Sequence, residues 1–211
     1  MKKTEHYILM ADVVSSRSKD QKQLMQDFKQ ITASINQQHQ SQLESPLTIT
    51  LGDEFQGVVK SVKAALQIIL SIDEEILFQQ AGFQLRYVLL EGRIDTPINE
   101  KIAYGMLGEG LTNARKALQE AKATTQRYHF DLKNKKMSHA LTNSFIVYQG
   151  LTDDWKVERD HALIMEFLKA KDYKVVAEEL GKTRSQIWKR QKSLRINEYI
   201  AIKEVINYIA H

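Results

Sequence analysis

Residues 47–51 (LTITL) and 55–60 (FQGVVK) both have strand character, and only Gly52-Asp53-Glu54 stands between them. A three-residue link cannot span the crossover of a parallel pair, so the two runs must turn back on each other as an antiparallel hairpin. The hairpin sits in the middle of a βα alternation. Upstream, residues 6–14 (HYILMADVV) form a short apolar, β-branched run that predicts a buried strand ending near Asp12. Leu24, Phe28, Ile31 and Ile35 then recur at helical spacing and predict an amphipathic helix over 20–39. Downstream, Val62, Leu66, Ile69 and Ile76 share a helix face, and residues 83–94 (FQLRYVLLEGRI) predict a strand bending at Gly92. A loop with Gly105, Gly108 and Gly110 leads into a helix through 111–123, and residues 127–132 (RYHFDL) close the series as a last strand. The order β-α-β-β-α-β followed by α-β predicts an α+β class fold, a ferredoxin-like antiparallel sheet covered by helices on one face.

From about Ser138 onward no strand pattern recurs and the chain turns basic. The expected organisation is a sheet domain over 1–132, a helical connector over 133–154 and an all-α domain over 155–211. With 211 residues, 43% of them apolar and only two prolines, the chain has material for a sizeable core and little for a disordered linker. The absence of cysteine excludes a disulfide framework and thiolate metal sites. Six histidines, at 6, 39, 129, 139, 161 and 211, are scattered without an HExxH, which argues against a histidine-based metal site. Met1-Lys2-Lys3 is followed by Thr4-Glu5-His6 rather than a long apolar run, and no later segment approaches a membrane span of roughly 18 apolar residues. The expectation is a cytoplasmic protein without membrane contact.

Two acidic residues lie at predicted strand ends, Asp12 after the first strand and Asp53 at the hairpin tip. Hard oxygen ligands brought together at one edge suit magnesium or manganese, whereas the plainer reading of both residues is turn and helix-start chemistry. Glu54 follows Asp53 directly, so the pleat is expected to send it to the opposite face. Ser15, Ser16 and Arg17 follow the first strand at a helix start, where they serve either a bound phosphate or a cap.

The C-terminal part carries a second constellation. Lys182, Arg184, Lys189, Arg190, Lys192 and Arg195 stand in one window without an acidic residue. Ala177, Gly181 and Ile187 have the spacing of a helix-turn-helix: a small residue for close approach, a left-handed turn, and an apolar residue that packs the second helix on the first. In this register Thr183 caps the second helix, and Thr183, Arg184, Ser185, Trp188, Lys189 and Lys192 form a face suited to double-stranded DNA. The alternative is a helical hairpin that packs on the sheet domain or serves protein contacts.

The segments 10–17 (MADVVSSR), 51–59 (LGDEFQGVV), 85–94 (LRYVLLEGRI) and 104–118 (YGMLGEGLTNARKAL) resemble, in the same order, four signature segments of class III nucleotidyl cyclase catalytic domains. The whole chain, helical tail included, is similar to the SatD family. The cyclase resemblance implies that Asp12 and Asp53 hold two metal ions against a nucleotide triphosphate. It implies further that Thr112, Asn113, Arg115 and Lys116 face its ribose and phosphates. Where purine cyclases carry base-selecting residues this chain has Ile49 and Gly105, and Thr112 and Lys116 replace the Asn and Arg that orient the ribose and stabilise the transferring phosphate. Cyclisation of ATP or GTP is therefore not expected. Together these readings predict a homodimeric DNA-binding transcriptional regulator whose cyclase-like domain senses a metal-bound nucleotide or other phosphorylated ligand. The alternative is an active nucleotidyl cyclase or related phosphoryl-transfer enzyme of unusual specificity.

Overall fold

The computed structural model describes residues 5–14 and 21–210. Ser15, Ser16 and Arg17 lie outside the described residues. Five strands form one sheet in the order β2-β3-β1-β4-β5: β1 Glu5–Val13, β2 Leu43–Ile49, β3 Glu54–Val59, β4 Leu85–Arg93 and β5 Tyr128–Asp131. All neighbours are antiparallel except β4 and β5, which run parallel. Pro46 lies inside β2. It is tolerated there because β2 is an edge strand whose pairing shifts register between Ser45 and Thr48.

The sheet carries helices on both faces, which corrects the one-sided cover expected from the sequence. On one face α1 (Gln21–Gln38) and α2 (Val62–Phe78) bury Leu24, Phe28, Ile31, Ala65 and Ile69 against Leu9, Ala11, Phe55 and Leu89. On the other, α3 (Glu109–Ala121) lays Ala114 and Leu118 on Ile8, Met10, Val58 and Val88. The reason lies in β1, where Ile8-Leu9-Met10-Ala11 offers apolar side chains at both parities, so neither face of the central strand can be left in water. Gly92 and Gly110 bring α3 down onto β4. A Cβ on Gly110 would meet the Gly92 carbonyl carbon at 2.7 Å.

The rest of the chain is helical: α4 Lys135–Asp153, α5 Val157–Ala170, α6 Tyr173–Glu179, α7 Arg184–Ser193 and α8 Ile196–Ile209. Leu141, Phe145, Tyr148, Ile164, Phe167 and Ile206 continue the apolar core that begins under α1 and α2. Each such side chain stabilises the assembly by about 1.5–3 kcal/mol relative to exposure. Two polar ties reinforce the junction: Tyr199 donates its hydroxyl to Glu74 at 2.8 Å, and the His161 ring donates to the Leu77 carbonyl at 2.9 Å. Within the tail, Gly181 takes a left-handed φ of +60°, and Thr183 and Gln186 cap α7 reciprocally. No described helix is long and apolar enough to cross a membrane.

Candidate functional site

Along β1 the odd residues from Leu9 to Val13 face α1 and α2, so Asp12 faces the α3 side. The register sets Asp12 opposite Glu54 on β3 and opposite Arg86 on β4. Directly paired residues of an antiparallel ladder project to the same face, so Glu54, Asp12 and Arg86 form a charged row across three strands. This corrects the expectation that Glu54 points away: what decides its direction is its pairing with Asp12, not its adjacency to Asp53.

The row is buried, with Asp12 and Glu54 only 3% and 2% exposed. Their charges are met individually. Arg86 Nη1 lies 3.0 Å from Asp12 Oδ1, and Lys122, at the C-terminal end of α3, places Nζ 3.1 Å from Asp12 Oδ2. Arg115, from the exposed side of α3, reaches Glu54 Oε1 at 2.9 Å. Burial pushes the Asp12 carboxyl above its ordinary value, with Arg86 and Lys122 pulling it back. Burial raises Glu54 in the same way against Arg115 and Lys122. Asp53, half-buried at the hairpin, accepts from the Val13 N–H through its backbone carbonyl at 2.9 Å, and its charge adds to the upward push on Asp12.

Beside Glu54 opens a cleft of about 530 Å³ between α3, the β2–β3 turn and the loop before α3. Thr112, Arg115 and Lys116 line it, with Thr50, Gln56 and Tyr104. Asn113 is exposed and is not among the lining residues. Sequence reasoning named the acidic residues but missed Arg86 and Lys122. Arg86 left a legible signal, the single charge in the run LRYVLL of a buried strand. Lys122 left none, because only the folded position of α3 sets its end over β1.

No group of three or more acidic or histidine side chains placed to hold a metal ion occurs among the described residues. The donor chemistry at Asp12 nevertheless suits a hard cation: two buried carboxylates lie side by side, and the Lys122 ammonium stands against one of them as a cation does.

A sequence model of the SatD family matches residues 7–209, almost the whole chain. The chain belongs to the SatD family. Among solved structures, this SatD-family chain is similar to a bacterial light-regulated adenylyl cyclase (15% identity, 60% of this chain and 43% of that one, TM-score 0.47). It is also similar to the guanylyl cyclase Cya2 (12% identity, 56% of this chain and 71% of that one, TM-score 0.36). A third likeness is to the catalytic core of a rhodopsin-guanylyl cyclase of converted specificity in complex with ATPαS (15% identity, 61% and 77%, TM-score 0.40). The aligned region thus spans under half the length of the light-regulated cyclase. No curated protein matches the sequence significantly.

These findings correct the expectation of a DNA-binding transcriptional regulator. The solved structures that the chain resembles are adenylyl and guanylyl cyclases, and no finding supports DNA-binding regulation. The basic stripe itself is partly committed within the fold. Arg184 pairs with Glu178 at 3.0 Å, and Arg190 reaches Asp160 at 2.5 Å, so neither presents a free guanidinium. Thr183 and Gln186 bond to each other in the α7 cap, while Ser185, Trp188, Lys189 and Lys192 are exposed.

Proposed function

We propose that the SatD-family chain binds a phosphorylated ligand of nucleotide type in the α3 cleft and performs phosphoryl-transfer chemistry there, with a specificity different from that of purine cyclases. The observation that carries this reading is the buried Glu54–Asp12–Arg86 row, bordered by Arg115 and Lys122 and opening beside a cleft of about 530 Å³. Two cationic side chains, Arg115 and Lys116, line the cleft, Arg86 and Lys122 stand in the charged row behind Glu54, and positive charge held in place before the ligand arrives stabilises a transferring phosphoryl group. Arg115 and Lys116 bind phosphate oxygens, and Thr112 and Thr50 offer hydroxyls to the sugar or phosphate. Asp12 and Glu54, the two carboxylates that lie side by side, would hold a divalent cation such as magnesium or manganese, with the charge of Asp53 nearby, once Lys122, 44% exposed at its side chain, withdraws from Asp12. Bound there, such an ion supplies charge neutralisation to phosphate oxygens. The remaining positions argue for a ligand other than a purine triphosphate: Gly105, in left-handed conformation and with open space around it, has no side chain to read a base edge.

Leu51, Ile102, Tyr104 and Leu107 are large apolar residues left exposed near the hairpin tip and in the loop before α3. A second copy of the chain closing over this face would cover them and complete the homodimer expected from the cyclase resemblance.

The test is thermal stabilisation of the full chain by ATP, GTP, CTP, UTP and inorganic phosphate, each with and without manganese. Turnover is followed by phosphorus NMR. At least one nucleotide raises the midpoint, and Arg115→Ala abolishes that rise, because a ligand bound only to the folded state stabilises it by mass action. Absence of any nucleotide-dependent shift in the wild type overturns the reading.

A further inference from the structure

On the face of the sheet opposite the α3 cleft, a second cavity of about 550 Å³ lies between α2, β5 and the C-terminal helices. Its volume falls in the range of small-molecule sites. Two consecutive carboxylates of α2 form part of the wall, Asp73 and Glu74, and a third, Glu158, stands exposed at the rim on α5. Asp73 is held by neutral donors: the hydroxyls of Tyr87 and Tyr128 donate to it at 2.8 and 2.6 Å. Glu74 accepts from Tyr199 at 2.8 Å and pairs with Lys203. The single cation of the wall, Arg127, is already committed, with Nη2 2.9 Å from Asp153 and Nη1 3.0 Å from the Tyr128 hydroxyl.

The other component of the wall is aromatic. Tyr128, Tyr148, Tyr199 and Trp155 follow one another with ring centroids 5.8, 5.6 and 4.9 Å apart. Aromatic faces and carboxylates at Asp73 and Glu158 that no cation of the wall bonds together disfavour an anion. A neutral apolar guest would leave Asp73 desolvated without a counter-charge, at a cost that paired burial avoids. An inorganic dication is not favoured either, since no three acidic groups converge here among the described residues. A cation that also presents hydrocarbon to the rings satisfies both components at once.

We propose that this cavity is a second binding site of the chain and takes a small aliphatic amine. Its ammonium is held by Asp73 and drawn in past Glu158, and its carbon chain lies along Tyr148, Trp155 and Tyr199. The wall is shared between α2, β5 and the helices α4, α5 and α8. An occupant therefore bridges the sheet and the helical tail and stiffens their junction.

Trp155 lines this cavity, and the only other tryptophan, Trp188, is exposed on α7, so full-length Trp188→Phe reports on the cavity through Trp155 fluorescence alone. At matched ionic strength, 1,4-diaminobutane changes the Trp155 emission saturably and raises the melting midpoint, whereas sodium butyrate of similar length does neither. Asp73→Asn weakens the amine by about tenfold, as expected for loss of one charge-assisted contact. Glu158→Gln, at an exposed position where folding is unaffected, weakens it by about twofold to threefold. A Trp155 response that is absent, that butyrate reproduces, or that survives Glu158→Gln and Asp73→Asn unchanged overturns the proposal. Should Asp73→Asn fail to fold, Glu158→Gln alone decides.

Discussion

The two faces of the sheet bury carboxylates in opposite ways. On the α3 face Asp12 and Glu54 are met by three full positive charges, Arg86, Lys122 and Arg115, all from groups that reach in from a neighbouring strand or helix. On the α2 face Asp73 is met by the hydroxyls of Tyr87 and Tyr128, with Arg127 close by but bonded elsewhere. A carboxylate neutralised by cations exchanges one cation for another, or lends those cations to an incoming anion. A carboxylate held by phenols has no cation bonded to it, and burial holds the Asp73 carboxyl above its ordinary value against the pull of the Arg127 charge and the hydroxyls. The first arrangement suits exchange of charged ligands, and the second stores a negative site.

That contrast breaks most visibly at Arg86. It is 8% exposed and donates to both oxygens of Asp12, at 3.0 and 3.2 Å. Arg86→Met removes the buried one of the two cations on Asp12, leaving only the half-exposed Lys122, and should cost about 3 kcal/mol by urea unfolding. The double change Asp12→Leu with Arg86→Met should recover most of this loss, because an apolar pair has no charge to strand. A double variant no more stable than the single one would show that Arg86 acts through packing rather than charge.

The matching change on the other face is smaller. Tyr128→Phe removes one of the hydroxyls on Asp73 and leaves that of Tyr87 in place, so the expected loss is about 1.5 kcal/mol by the same measurement. A cost as large as that of Arg86→Met would mean that the phenols are no more replaceable than the cations.

The pH dependence sharpens the comparison further. Asp12, Glu54 and Asp73 all have folded pKa values raised above their ordinary 3.8, 4.5 and 3.8. The folded state therefore binds protons more tightly than the unfolded one. The stability these groups contribute is fully present below the ordinary carboxylate values and is lost as pH rises through the raised ones. Asp160 runs the other way: hydrogen bonds from Arg159 lead the causes that lower its pKa, so its contribution is lost as pH falls. Comparing Glu54→Gln with the wild type isolates one site. The variant should lose less stability as pH rises above the ordinary 4.5. An identical slope would refute the raised value.

The smallest effect on stability is expected at Lys122, whose pair with Asp12 is half open to solvent. Lys122→Met should change stability by under about 1 kcal/mol. It removes the ammonium that competes at Asp12, so manganese followed by paramagnetic relaxation should bind more tightly than to the wild type. Weaker binding would show that Lys122 does not occupy the cation position.

Much of this architecture was legible in the residues. The three-residue link at 52–54 forced the hairpin, and the helical spacing of Leu24, Phe28, Ile31 and Ile35 is the buried face of α1. Asp12 was legible as a charge ending an apolar strand. What escaped was the face on which each group ends. Glu54 was misplaced because a turn read along the chain says nothing of the strand opposite, and the second layer of helix escaped because apolar periodicity counts buried positions without naming what covers them.

The sequence by itself determined the order of elements, the position of the acidic pair along the chain and the change to helix after β5, because these follow from local spacing and turn length. Only the tertiary structure decided that Arg86, Lys122 and Arg115, 74, 110 and 61 positions from the carboxylates they neutralise, would be their partners. It alone decided that Asp73 and Trp155 would share a cavity. Strand register and helix placement set those meetings, and both minimise the free energy of the whole core rather than of any segment within it.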